Sequence, residues 1–191
     1  MSNSLRVLYY EDRSQIAFRG KCHKSFKELG CLQIPYDISE LPMEFEKLEH
    51  LVYYRGPFTQ AMSLYELPPS LRFMYITVSA ENGVKDSTVL PTVTSASSLV
   101  LLQCNLNNIV QRLPDGMEKL TKLEILTVWG CHQLRELPSK FGELRNLREL
   151  RLFNCKELKE LPSDFGRLSN LQELWLQECP KLKQFFRLWT T

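Results

Sequence analysis

Six cysteines and three histidines are the side chains of this chain most able to do nucleophilic or metal chemistry, and their spacing decides what chemistry is open to them. Cys22, Cys31, Cys104, Cys131, Cys155 and Cys179 include no C-x-x-C pair, whereas a structural zinc site asks for two such pairs. His23, His50 and His132 lie far apart, and none is spaced from a serine or cysteine as a nucleophile and its base would be. There is no G-x-x-x-x-G-K-[ST] phosphate loop and no G-x-G-x-x-G. The carboxylates belong to alternating charged faces such as KELKEL, which suit solvated surface. The expectation is a chain that is not an enzyme and has no catalytic residue, metal site or cofactor.

Three of the cysteines nevertheless recur at a fixed interval, and the interval belongs to a longer pattern. From Leu113 the chain reads LPDGMEKLTKLEILTVWGCHQLRE, then LPSKFGELRNLRELRLFNCKELKE, then LPSDFGRLSNLQELWLQECPKLKQ, so that Leu113, Leu137 and Leu161 are 24 residues apart. Within the units, Leu123, Leu126, Val128, Cys131 and Leu134 are matched by Leu147, Leu150, Leu152, Cys155 and Leu158, and by Leu171, Leu174, Leu176, Cys179 and Leu182. The pattern is L-x-x-L-x-L-x-x-C-x-x-L. Its L-x-L centre alternates with the period of a strand. The Leu-Pro that follows breaks the strand, and Phe141, Leu144 and Leu147 or Phe165, Leu168 and Leu171, spaced by three, place one apolar edge on a short helical or 3₁₀ turn. One unit buries too little to offset about 1–2 kcal/mol of backbone entropy per residue. Stacked units share a core and a parallel ladder.

Upstream the pattern loosens. Leu99, Leu102, Cys104, Asn107 and Val110 are still in register, with Asn107 at the position cysteine holds later. Earlier strands are expected at Leu71, Met74 and Ile76, at Leu51, Tyr54 and Gly56, at Leu29, Leu32 and Ile34, and at Leu5, Leu8 and Tyr10, about eight in all. AENGVKDSTVLPTVTSASS reads as a lengthened connection, and Leu41-Pro42 with Phe45 and Leu48 as a Leu-Pro-to-helix segment. The chain is thus expected to be one domain, with irregular repeats over 1–98, regular repeats over 99–184 and a partial repeat or cap over 185–191. Phe185 and Trp189 start a further unit, so a piece of a longer protein is expected.

Stacking governs the cysteines. Adjacent strands lie about 4.7–4.9 Å apart, a distance that permits a bond between Cys131 and Cys155. Parallel side chains directed into one core, in a reducing compartment, argue instead for six free thiols donating weakly to turn carbonyls. That compartment follows from an N-terminus without an apolar run of signal-peptide length and from the lack of any bilayer-length segment or Asn-x-Ser/Thr site, which together point to cytoplasmic or nucleocytoplasmic placement and no membrane partner. A net charge of +2 with interleaved signs leaves no electrostatic footprint for nucleic acid.

What remains is the open face of the sheet. Residues between the core leucines point outward: Ile125, Thr127 and Trp129, then Glu149, Arg151 and Phe153, then Glu173, Trp175 and Gln177. Phe73 and Tyr75, and Leu101, Gln103 and Asn105, extend the face upstream. Large aromatics beside an arginine and carboxylates suit anchoring of a protein partner. The expected partner-binding residues are therefore Trp129, Phe153, Trp175, Arg151, Glu149, Glu173, Phe73 and Tyr75.

The unit running from Leu123 to Leu147 and again from Leu147 to Leu171 resembles the leucine-rich repeats of plant intracellular nucleotide-binding immune receptors, the disease-resistance proteins. The similarity is tight from Leu99 to Gln184 and loose elsewhere. Cell-surface plant receptor kinases share the period but usually carry Asn at the ladder position and L-x-G-x-IP after it; Cys and LP here point inside the cell. The resemblance implies an α/β solenoid, a horseshoe with a parallel sheet on its concave face and short helical or 3₁₀ turns on its convex face. It implies the sensor portion of a receptor in innate immunity and signal transduction, whose protein partner is a pathogen effector, a guarded host protein or the nucleotide-binding domain that precedes the repeats in such receptors. That domain and its phosphate loop are not in this sequence, so ADP or ATP binding is not expected. The alternative is an intracellular scaffold of the Ras-group type, whose repeats also carry LP.

Overall fold

The computed structural model describes residues 6–9, 29–34, 48–58, 67–78, 96–106 and 110–182. They contain eight strands: β1 (Arg6–Tyr9), β2 (Leu29–Gln33), β3 (Tyr53–Phe58), β4 (Phe73–Val78), β5 (Leu101–Asn105), β6 (Ile125–Trp129), β7 (Glu149–Phe153) and β8 (Glu173–Gln177). All lie in one parallel sheet, in sequence order. This is the solenoid expected from the repeat, with its eight strands where the leucine spacing placed them. Leu41-Pro42, Phe45, the connection up to residue 95, Asn107, Cys22, His23, Phe185 and Trp189 lie outside the described residues.

Register turns the repeat into a core. Leu32, Tyr54, Met74, Leu102, Leu126, Leu150 and Leu174 are successive partners across the sheet, and Gly56, Ile76, Cys104, Val128, Leu152 and Leu176 form a second inward column. Subtracting residue numbers gives spacings of 22, 20 and 28 from Leu32 to Leu102 and 24 thereafter. The strands hold register although the coils between them vary, because loop length is cheap in free energy while an unpaired strand is not. Opposite the sheet, Leu137-Pro138 and Leu161-Pro162 lead into 3₁₀ turns, Phe141–Glu143 and Phe165–Arg167. Each turn opens with the Phe amide donating to the proline carbonyl at 3.0 Å. The two phenyl rings stack, centroids 6.4 Å apart. Asn146 and Asn170 donate from their side-chain amides to the carbonyls of Thr121 and Arg145 in the preceding coil, at 2.6 and 2.7 Å.

The exit from each strand is a one-residue left-handed turn. Gly130, Asn154 and Glu178 have φ of 61°, 62° and 57°, and each separates the last strand residue from the ladder cysteine. Glycine and asparagine tolerate this region; glutamate does so at a cost of about 1–2 kcal/mol. The turn swings Cys131, Cys155 and Cys179 out of the strand and beneath it.

Here the structure corrects the expectation of free thiols: Cys131 and Cys155 are joined by a disulfide, while Cys31, Cys104 and Cys179 are free. The parallel direction of the side chains does not keep the sulfurs apart. The ladder holds the two Cα atoms 4.6 Å apart, and both sulfurs face one acceptor, the Phe153 carbonyl oxygen, at 3.2 and 3.9 Å. Once bonded to each other they have no proton to donate to it. Cys179 keeps its thiol, 3.6 Å from the Gln177 carbonyl. Burial pushes the Cys104 thiol up to about 12.

Two predictions follow from the stacking. Digestion without reductant should yield a cross-linked peptide pair joining Cys131 to Cys155, and reduction should lower the unfolding free energy by about 3 kcal/mol, as expected for closing a loop of this length; recovery of both as alkylated thiols would show that the bond is absent. Second, a Cβ on Gly142 would sit 2.0 Å from the Asp164 carbonyl oxygen of the next coil, whereas at Gly166, the same position one repeat on, it would meet nothing within 4 Å among the described residues. Gly142→Ala should therefore cost about 1–3 kcal/mol and Gly166→Ala less than about 0.5 kcal/mol, read from paired denaturant melts; equal effects would contradict the coil contact.

Candidate protein-interaction face

Alternation along each strand sends one set of side chains into the core and the other onto the open sheet face, where register sorts them into three columns. The first runs Tyr53, Phe73, Leu101, Ile125, Glu149, Glu173; the second Arg55, Tyr75, Gln103, Thr127, Arg151, Trp175. The third contains Thr77, Asn105, Trp129, Phe153 and Gln177. All eight residues expected from the sequence lie on this face, divided between two clusters and a strip of half-buried apolar side chains.

On β6–β8, Arg151 forms an ion pair through Nε with Glu149 Oε1, while its Nη2 lies 4.0 Å from Glu173 Oε2. Its guanidinium is 5.9 Å from the centroid of the Trp175 ring, and the indole N–H of Trp175 donates to Glu173 Oε2 at 3.1 Å. Two carboxylates face one guanidinium, so the group carries a net charge of −1. Arg151 and Glu173 are 41% and 54% exposed, so their attraction is screened and adds at most about 1 kcal/mol to stability. The value of the arrangement is orientation, since it holds the Trp175 ring in place. Trp129 stacks on Phe153 with centroids 4.0 Å apart.

The eight are not equally available. Trp175 is 53% and Trp129 40% exposed, but Phe153 is only 8% exposed. A strand spacing under 5 Å lets a flat ring lie on the ring of the neighbouring strand, so Phe153 serves as a base for Trp129 and not as an anchor itself. Sequence alternation shows which face a residue points to; it does not show which of two adjacent rings lies on top.

On β3–β5, Tyr53 and Tyr75 pack with centroids 5.3 Å apart. Burial raises the Tyr53 phenol above its ordinary value, and the Arg55 guanidinium, which also hydrogen-bonds to it, works against that rise. Arg72 lies over the Phe73 ring, 5.9 Å from its centroid. Between Tyr75 and Trp129 the face sinks into a hollow of about 540 Å³, bordered by Arg55, Thr77, Gln103 and Asn105. Sequence reasoning named Tyr75 and Trp129, placed Gln103 and Asn105 on the face without counting them among the partner-binding residues, and did not reach Arg55. Its signal, an arginine in the outward position of an irregular repeat, becomes readable only once register is known.

A larger hollow, about 690 Å³, opens among the 3₁₀ turns around Glu143, Arg145, Asn146 and Arg167. Three of its charges already engage one another, with Glu143 paired to Arg145 at 3.2 Å and Arg167 at 3.1 Å. It is the furrow between coils, and the sheet face is the better candidate despite its smaller volume. Among the described residues no group of three His, Cys, Asp or Glu is placed to hold a metal ion, and no helix is long and apolar enough to cross a membrane.

No curated protein matches the chain in sequence. Among solved structures, it is similar to the "Plant peptide hormone receptor RGFR1 in complex with RGF2", at 16% identity and a TM-score of 0.49, over 82% of this chain and 35% of that one. The chain therefore spans about a third of that receptor chain's length. Residues 146–168 match the family model described as Leucine Rich Repeat. That stretch runs from Asn146 through strand β7 to the end of the second Phe-containing 3₁₀ turn, which is almost one coil of the solenoid.

Proposed function

We propose that this chain is a protein-recognition module that holds its partner on the open sheet face, and that it is the sensor part of a plant innate-immune receptor acting in the cytoplasm or nucleocytoplasm. One observation carries the recognition reading. Among the described residues the exposed large hydrophobic side chains are Trp129 and Trp175, and both lie on this face. Exposed tryptophans cost solubility, and they anchor interfaces when seated beside polar groups that orient them. Trp175 is seated by Glu173 and Trp129 by Phe153. The immune reading is supported by the cysteine ladder and the Leu-Pro step, which resemble the disease-resistance repeats; its partner is a pathogen effector or a guarded host protein. In a reducing cytosol the Cys131–Cys155 bond is expected to open to two thiols.

The test is retention of proteins from plant-cell extract by the immobilised chain. Trp129→Ala with Trp175→Ala should abolish a retained partner, each truncation weakening it by about 2 kcal/mol or more, while the variant still unfolds cooperatively, destabilised by no more than the loss of the Trp129–Phe153 stack, about 0.5–1.5 kcal/mol. Arg112→Gln, outside the eight strands, should leave it intact. An identical set of partners on all three folded proteins would move recognition off this face.

A further inference from the structure

Three sulfurs meet at the cysteine ladder, and the middle one is approached from both sides. Cys131, Cys155 and Cys179 follow strands β6, β7 and β8 at the same turn, each directly after a left-handed residue, so register stacks them one strand spacing, about 4.8 Å, apart along the solenoid. Cys131 Sγ reaches forward into the Cys155 coil, to 3.2 Å from the Phe153 carbonyl oxygen. Cys179 Sγ reaches back into the same coil, to 3.7 Å from the Leu152 carbonyl oxygen, and the Cys155 amide N–H donates to it. The Cys131–Cys155 bond thus runs along the stack, and the Cys179 sulfur stands on the continuation of that line beyond Cys155. A thiolate attacks a disulfide along that line and displaces the far sulfur. The three also differ in access. Cys131 and Cys155 are both 0% exposed, so a dissolved thiol has no path to either sulfur in the folded chain, whereas Cys179 is a half-buried free thiol. Burial raises that thiol above its ordinary value; the Cys155 amide works against the rise and Glu178 adds to it.

We infer that Cys179 is the site at which small-molecule thiols of the glutathione type exchange with the buried Cys131–Cys155 disulfide. The exchange runs in steps that balance. Cys179, as thiolate, attacks Cys155 Sγ: the Cys155–Cys179 bond forms, the Cys131–Cys155 bond breaks, and Cys131 leaves as a thiolate that takes up the proton Cys179 gave up. The cross-link has moved one coil toward solvent with no net oxidation. A dissolved thiolate then attacks Cys179 Sγ, Cys155 leaves and is protonated, and Cys179 holds a mixed disulfide. A second molecule of the small thiol frees Cys179 and departs joined to the first, so that two electrons have passed from two small thiols to the protein disulfide. The same steps in reverse install the bond from the oxidised small disulfide. The bond so controlled lies behind the open face, since Cys131 and Cys155 each follow by two residues a member of the Trp129–Phe153 stack. The exchange does not depend on what that face binds.

The test follows reduction of the folded, oxidised chain by reduced glutathione, with free thiols trapped at intervals by alkylation and located by peptide mass. Cys131 should become alkylatable at least about tenfold faster in the wild type than in Cys179→Ser. A Cys155–Cys179 cross-linked peptide and a glutathione adduct on Cys179 should rise and fall on the way. Cys131→Ser, treated with oxidised glutathione, should close Cys155 onto Cys179. Cys104→Ser removes a buried thiol that lies on β5 and off the ladder, and it should leave the wild-type rate unchanged. In concentrated guanidinium the wild type and Cys179→Ser should be reduced at the same rate, because the unfolded chain opens every sulfur to solvent. A Cys179→Ser chain that was merely loosened would be reduced faster than the wild type, the opposite of the expected result. Equal or faster native-state reduction of Cys179→Ser overturns the inference, as does a Cys131→Ser chain that forms no Cys155–Cys179 bond or a wild type that forms no Cys131–Cys155 bond in oxidised glutathione.

Discussion

Backbone hydrogen bonding between successive coils is the constraint on which the molecule depends. Neighbouring coils exchange these bonds in both directions: Ile125 donates back to the Val100 carbonyl, Glu149 to that of Glu124 and Glu173 to that of Arg148, while Leu106 donates forward to the Trp129 carbonyl and Asn154 to that of Gln177. Because pairing is parallel and runs in chain order, a residue's neighbours across the sheet are its counterparts in adjacent repeats. A leucine repeated in sequence thereby becomes a leucine column in space. The same rule stacks Phe141 on Phe165, hands the Asn146 and Asn170 amides to the coil below, and brings Cys131 next to Cys155. None of these contacts is local in sequence, yet each is a nearest-neighbour contact of the solenoid.

The ladder also shapes the exposed side. On the core face it repeats one kind of residue, whereas on the open face it sets unlike residues side by side: tyrosines and Arg55 on β3 and β4, amides on β5, Trp129 on β6, and an acid-rich group around Arg151 on β7 and β8. Packing demands uniformity within and leaves the outward positions open to vary, which is how a uniform scaffold comes to have a differentiated surface. The rigidity of the strands beneath keeps that surface in fixed geometry, so little conformational entropy is lost when a partner docks.

Most of the fold was legible in the chain because its periodicities, two in the strand and 24 in the coil, are set by backbone geometry and repeat in register. Even the irregular repeats disclosed themselves, since Tyr54 and Met74 take leucine's place in a column that still asks only for a large apolar side chain. The site was legible in part. Alternation assigned Trp129, Trp175, Arg151, Glu149, Glu173, Phe73 and Tyr75 to the open face, but it was blind to how their side chains arrange themselves laterally.

The sequence by itself determined the architecture: eight parallel strands, the breaks at Leu-Pro, the 3₁₀ turns, and the face on which each strand residue stands, because these follow from local geometry and hydrophobic period. Only the tertiary structure decided what happens between coils. It buried Phe153 under Trp129, closed Cys131 onto Cys155 around a shared carbonyl, required glycine at 142, and opened the hollow beside Arg55. The physical reason is common to all four: each outcome turns on ångström-scale distances between side chains about a repeat apart in the chain, and a pattern of residue types carries no record of those distances.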